Sequence, residues 1–282
     1  MSQDKATPAP AAEQGSRNLL MRVAAALVLA PGAIALAYAG GWPWATLVTV
    51  VAVGLYVEWL TVIGAARNWR LIAAGAVALA ASGLCLALGR IDASLAAIVF
   101  GLVAVAVSNP PPRRWALTGF CYAAAALLAS ILVRNDPVEG FAALILILLV
   151  VWVTDIGGYF AGRGIGGPKL WPRVSPKKTW AGAIGGFLAS LVIGAVFAAF
   201  GLGKLLPLLM LAAVLSTISQ IGDLFESAVK RQFGVKDSSH IIPGHGGLLD
   251  RLDGYVAAAV FAALFGMLRG GVDGIGRGLM VW

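Results

Sequence analysis

The chain has 282 residues, of which 60% are hydrophobic and 12% charged, and it carries 36 glycines. Soluble domains hold roughly 45–50% apolar residues, so a water-soluble globular fold is excluded, and glycines without a three-residue period exclude a collagen-like chain. The formal charge of +8 comes with no basic-aromatic soluble module, so no nucleic-acid partner is expected; in a membrane protein such charge marks cytoplasmic loops.

Residues 1–18 read as a flexible cytoplasmic tail, the one stretch of disorder-like composition. A hydrocarbon core ~30 Å thick needs about 20 helical residues. Windows of that kind fall at 19–39, 43–63, 71–89, 93–109, 115–133, 138–162, 180–200, 204–224 and 252–269. The expected fold is all-α: a polytopic integral membrane protein with about nine transmembrane helices. It divides into N-terminal transmembrane helices (19–137), a catalytic transmembrane region (138–269) and a C-terminal tail (270–282).

With the N-terminus cytoplasmic, every Lys and Arg except Arg90, Arg134, Lys204, Arg269 and Arg277 falls inside, the expected positive-inside bias. The first window follows Arg17 and Arg22 and ends Ala37-Tyr38-Ala39, which also has the look of a cleaved secretory signal. Pro31 interrupts that run and the rest of the chain is itself polytopic, so an uncleaved span is the plainer reading.

In the second window Glu58 stands beside Trp59, read as a snorkelling or paired group and set aside. Cys85 and Cys121 lie in apolar runs without the spacing of a zinc or redox site. Near the inner end of the sixth window, Asp155 and Tyr159 stand one turn apart. An ionisable group there is costly unless it has a task, which makes Asp155 a site candidate.

Two long cytoplasmic loops follow, about 163–179 and 225–251. The first carries Arg163, Lys169, Arg173, Lys177 and Lys178 without an acid, its glycines and prolines opposing regular helix. Lys177 and Lys178, beside the hydroxyls of Ser175 and Thr179, suit phosphate oxygens. A loop that only sets topology is the alternative.

Around the second loop, five acids crowd together: Asp223, Glu226, Asp237, Asp250 and Asp253. If the eighth span continues as a helix, Asp223, Ser227 and Lys230 share a face and Glu226 can pair with Lys230. Carboxylates at the inner ends of two neighbouring spans suit a hard divalent cation such as magnesium, completed by nucleotide phosphates. His245, between glycines, could act as base or ligand, or simply satisfy the turn.

The stretch Ser227-Ala-Val-Lys230-Arg231, Lys236-Asp237, then Pro243-Gly-His245-Gly246-Gly247-Leu-Leu-Asp250-Arg251-Leu-Asp253 resembles the pattern of the phosphatidate cytidylyltransferase, or CDP-diacylglycerol synthase, family. Asp155 to Arg163 and Ser175-Pro-Lys177-Lys178-Thr179-Trp180 are similar to two further family segments. One departure is Ala181, where the family usually has glutamate. The resemblance implies a homodimer in the lipid bilayer and a magnesium-dependent reaction of CTP with phosphatidate, giving CDP-diacylglycerol and pyrophosphate.

On this reading Asp223, Asp250, Lys230 and Arg251 are catalytic, and Asp223, Asp250 and Asp253 hold Mg2+, with room for a second cation. Ser175, Lys177, Lys178, Thr179, Ser227, Arg231, His245, Gly246, Gly247 and Asp155 bind substrate. The expected setting is the bacterial inner membrane with the site facing the cytoplasm. The rivals are a CTP-dependent lipid kinase and an ion-coupled transporter using Asp155, Asp223 and Glu58.

Overall fold

A computed structural model of the chain describes residues 30–108, 112–239 and 246–282. In chain order these form α1 (Ala30–Ala39), α2 (Gly41–Val62), α3 (Trp69–Ala87), α4 (Ile91–Val107), α5 (Arg113–Asn135) and α6 (Gly140–Gly164). A hairpin of β1 (Lys169–Trp171) and β2 (Ser175–Thr179) leads into α7 (Trp180–Ala199), α8 (Leu205–Gln232) and α9 (Leu249–Gly270), and a 3-10 turn precedes α10 (Ile275–Met280).

Among the described residues, seven helices (α2, α3 and α5 to α9) are long and apolar enough to cross a membrane. The protein is thus an all-α polytopic membrane protein. The expected fourth span is a helix of 17 residues, about 26 Å long at ~1.5 Å per residue, and the expected first span is described only from Ala30 onward.

Backbone amides have no water to bond in hydrocarbon, which leaves the helix as the form for these apolar runs. Helices packed in lipid gain little from hydrophobic burial against one another and rely on close approach and internal polar links. Trp59, Tyr56 and Phe120 fill the N-terminal bundle and are fully buried. Trp44 Nε1 donates to the Ser130 carbonyl at 3.0 Å, Trp59 Nε1 to that of Trp115 at 2.8 Å, and Tyr255 OH to Ser130 Oγ at 3.0 Å. Further along, α6 and α7 meet through glycines on both faces; a Cβ on Gly182 would sit 2.8 Å from the Gly158 carbonyl oxygen.

Two segments differ from a plain loop. Residues 163–179 contain an antiparallel hairpin pairing Lys169 with Thr179 and Trp171 with Ser175. Pro168, Pro172 and Pro176 deny the segment helical N–H groups, and a two-stranded ladder, all edge, tolerates proline. The stretch 225–251 is helical at its two ends: α8 runs 28 residues to Gln232, so its acidic and basic last turns extend the span, and α9 begins at Leu249.

At the opposite end, residues 270–282 pack back onto the bundle. Arg277 donates from its backbone N and Nε to Asp136 Oδ2 at 2.8 and 3.2 Å. Asp136 Oδ1 accepts from Val138 N and Glu139 N at 2.9 and 3.2 Å, ordering the turn before α6.

Candidate active site

The C-terminal ends of α6 and α8, the hairpin, and the N-terminal ends of α7 and α9 surround one cleft of about 700 Å³. From α6 it is lined by Thr154, Asp155, Gly158, Tyr159, Gly162 and Arg163, and from the hairpin by Leu170, Lys177, Lys178 and Thr179. Gly182 and Ala183 of α7, Gln220 and Asp223 of α8, and Asp250, Arg251 and Asp253 of α9 complete it. Residues far apart in the chain thus bring four carboxylates and four cations, Arg163, Lys177, Lys178 and Arg251, to one opening.

The charges interlock. Lys178 Nζ is paired with Asp223 Oδ2, and Ser227 Oγ lies 3.4 Å from Asp223 Oδ1. One turn further along α8, Lys230 stands between Glu226 Oε2 at 2.7 Å and Asp250 Oδ1 at 2.5 Å. The i, i+4 partnership of Glu226 and Lys230 read from the sequence is present, and a third partner from α9 joins it.

Asp250 Oδ2 accepts from Ser238 N and Gly247 N, each at 3.0 Å, and lies 3.0 Å from Ser238 Oγ. Gly246 adopts φ +84° beside it, a left-handed conformation that side chains resist. A Cβ on Gly247 would overlap Ser238 Oγ and lie 2.8 Å from Glu58 Oε2. These two glycines therefore let the chain close over the Asp250 carboxylate.

Other expected site residues are placed differently. Thr179 lines the cleft, yet its buried hydroxyl accepts from Gly182 N at 3.1 Å and caps α7. Ser175 and Arg231 lie outside the lining, Arg231 donating to the Val235 carbonyl at 3.0 Å. His245 falls outside the described residues. Gln220 and Ser238 are additions that the sequence reading lacked, having no motif to flag them. Glu58, set aside earlier, is 1% exposed and accepts hydrogen bonds from Leu248 N, just before α9, and from Leu249 N, at the first residue of α9.

Among the described residues no three acids, histidines or cysteines already form a cation cage. The donor chemistry nonetheless suits a hard cation: the lining of the cleft offers four carboxylates and, among the described residues, no histidine or cysteine. Lys178 at Asp223 and Lys230 at Asp250 supply positive charge beside two of these carboxylates.

The description "Cytidylyltransferase family" matches residues 20–268 of this chain. Over 264 residues the chain is 41% identical to the phosphatidate cytidylyltransferase of Brucella suis biovar 1 (strain 1330), covering 89% of this chain and 94% of that protein. It is 44% identical over 137 residues to the phosphatidate cytidylyltransferase of Haemophilus influenzae, covering 46% and 48% of the two chains. The corresponding figures for the phosphatidate cytidylyltransferase of Bacillus subtilis (strain 168) are 43% over 134 residues, with 46% and 49% covered. A match spanning nearly the whole chain, around a cleft of opposed acids and bases at one end of membrane helices, makes this protein a nucleotidyltransferase belonging to the cytidylyltransferase family.

Proposed function

We propose that the protein transfers the cytidylyl group of CTP to phosphatidate, yielding CDP-diacylglycerol and pyrophosphate for phospholipid synthesis. The observation that carries this reading is the cleft itself, where Asp155, Asp223, Asp250 and Asp253 face Lys177, Lys178 and Arg251 at the ends of apolar helices. Such a place can meet a lipid phosphate from the bilayer and a nucleotide from water.

An oxygen of the phosphatidate phosphate attacks the α-phosphorus of CTP in line. The new O–P bond forms as the bond to the bridging oxygen of pyrophosphate breaks, and pyrophosphate leaves with that electron pair. The lipid phosphate is already anionic and needs no strong base. The work of the protein is positioning and charge neutralisation, tasks that fall to Lys177, Lys178 and Arg251 in the cleft and Lys230 beside Asp250, while the expected Arg231 lies outside the lining.

Asp223, Asp250 and Asp253, with Asp155 beside them, would hold Mg2+, with room for a second cation, and the metal when bound would neutralise phosphate oxygens. The family resemblance supports a homodimer. The bias of Lys and Arg toward the 163–179 and 225–251 segments supports a cytoplasmic site, and bacterial relatives support the inner membrane.

The test is an assay in detergent micelles with purified protein, phosphatidate, Mg2+ and CTP labelled in the cytidine. Label should enter the lipid phase with wild type and be lost with Asp250→Asn. Folded wild type that leaves all label in water overturns the reading, and release of free CDP with phosphorylation of a lipid alcohol would assign a kinase instead.

A further inference from the structure

Glu58 belongs to α2, in the N-terminal half of the chain, and lies outside the cleft lining. Its carboxylate is nevertheless tied to the elements that carry Asp250. Oε1 accepts from Ser239 Oγ at 2.6 Å and Leu248 N at 2.8 Å; Oε2 accepts from Ser238 Oγ at 3.1 Å and Leu249 N at 2.7 Å. A carboxylate 1% exposed in an apolar span is costly unless its oxygens are engaged, and here both are.

Each oxygen of Glu58 receives one backbone N–H and one serine hydroxyl. Both backbone donors need an acceptor oxygen opposite them. A glutamine amide would turn its NH2 toward Leu248 N in one orientation and toward Leu249 N in the other, and neither backbone donor can be reversed. The serine hydroxyls could rotate to accept, but the peptide N–H groups could not.

The connection onward to Asp250 runs through Ser238. Its backbone N donates to Asp250 Oδ2, and its hydroxyl oxygen lies 3.0 Å from Asp250 Oδ2 and 3.1 Å from Glu58 Oε2. One hydroxyl proton thus lies between two carboxylates. Gly247 N, next to the Leu248 amide held by Glu58, gives Asp250 Oδ2 a further bond. Glu58 therefore holds Ser238 and the residue next to Gly247, on the Oδ2 side of Asp250, while Lys230 holds Oδ1.

We propose that Glu58 is a positioning residue for the transfer reaction: by holding Ser238 and the first turn of α9, it sets the orientation of the Asp250 carboxylate at the cleft. The proposal rests on the cytidylyl-transfer reading above. It gives the N-terminal bundle, through α2, a part in catalysis at a site built from the C-terminal half. Loss of such a supporting contact costs roughly 10–100-fold in activity in comparable sites.

The test compares the full-length protein with Glu58→Gln, Ser238→Ala and Ser239→Ala, using lipid-phase cytidine for kinetics and hydrogen exchange for structure. Glu58→Gln and Ser238→Ala should lower kcat per folded molecule by about 10–100-fold, with KM for CTP within about twofold. Ser239→Ala removes a donor from Glu58 that makes no bond to Asp250, and should keep kcat within about threefold. In Glu58→Gln the amides of Gly247, Leu248 and Leu249 should exchange at least about tenfold faster, while those of α3 stay protected.

Wild-type kcat in folded Glu58→Gln would overturn the positioning role while leaving the transfer reading intact, whatever the result for Ser238→Ala. Should Glu58→Gln fail to fold, Glu58→Asp decides: it keeps the charge but shortens the reach, and wild-type kcat with unchanged exchange at Gly247, Leu248 and Leu249 would overturn the role. Inactive folded wild type would instead overturn the transfer reading and this proposal with it.

Discussion

Lys178 of β2 and Asp223 of α8 form an ion pair across the cleft, joining residues 45 positions apart. Their side chains are 29% and 28% exposed, so the pair adds about 0–1 kcal/mol to stability. A cation at a phosphoryl-transfer site is worth far more to the reaction, since removing one group that stabilises developing charge costs about 100-fold or more. Lys178→Ala should therefore lower kcat/KM by about 100-fold while moving the thermal midpoint by only about 2–4 °C. Lys178→Arg, which keeps the charge, should recover part of the activity. Label transfer and a melting curve on the same preparations check both arms; lost stability with retained activity would make the pair structural.

Lys230 is a different kind of residue, with a side chain only 11% exposed and held between Glu226 and Asp250. Removing the shared cation leaves two largely buried carboxylates facing each other. Lys230→Met should destabilise the protein by about 3–5 kcal/mol. Adding Glu226→Gln should restore part of that loss, because Asp250 retains its bonds from Ser238 N and Gly247 N. Denaturant titrations in micelles measure the cycle, and strict additivity of the two substitutions would contradict the coupling.

The spans and the acids of the cleft were legible because composition and charge are local signals. Asp155, Asp223, Asp250 and Asp253 each stood out as ionisable groups at the ends of apolar windows, and all four line the cleft. The role of Glu58 was not legible: its backbone donors, Leu248 and Leu249, lie 190 and 191 positions away, and no periodicity announces a contact of that range. The hairpin was missed for another reason. Lys169-Leu-Trp171 and Ser175-Pro-Lys-Lys-Thr179 are too short and too irregular to show the two-residue alternation of a strand. Thr179 shows a third limit, since a hydroxyl next to two lysines reads equally as a phosphate ligand or as the helix cap it forms.

Close approach of α6 and α7 sets the width of the cleft between them. A Cβ on Gly182 would meet the Gly158 carbonyl oxygen at 2.8 Å and Gly162 Cα at 3.3 Å, both main-chain atoms that cannot rotate away. Gly182→Ala should therefore part the helices, costing about 1–3 kcal/mol as overpacking does, and reduce transfer because Gly158, Gly162 and Gly182 all line the cleft. Gly164, in the last turn of α6, has open space around its α-carbon. Gly164→Ala should stay within about 0.5 kcal/mol of wild type. A thermal-shift series on the two variants distinguishes packing from general intolerance of added methyl groups.

At the far end of the bundle, Asp136 predicts how the protein responds to acid. Its side chain is fully buried, which by itself would push the carboxyl up. Bonds from Arg277 N, Val138 N and Glu139 N, and from the Arg277 guanidinium, outweigh that and hold it below the ordinary carboxylate value. At pH values between the folded and unfolded values the unfolded chain binds more protons, so stability rises with pH there. The contribution of Asp136 is thus present in full at neutral pH and is lost as pH falls through about 4 and lower. Asp136→Asn places an NH2 where Arg277 or the turn amides donate, and should melt at a lower temperature than wild type at pH 7. Its midpoint should then fall less steeply than that of wild type between about pH 5 and pH 3. Melting curves of both proteins across that range decide it: parallel acid limbs would mean that other carboxylates, and not the tie between α10 and the α5–α6 turn, govern the acid response.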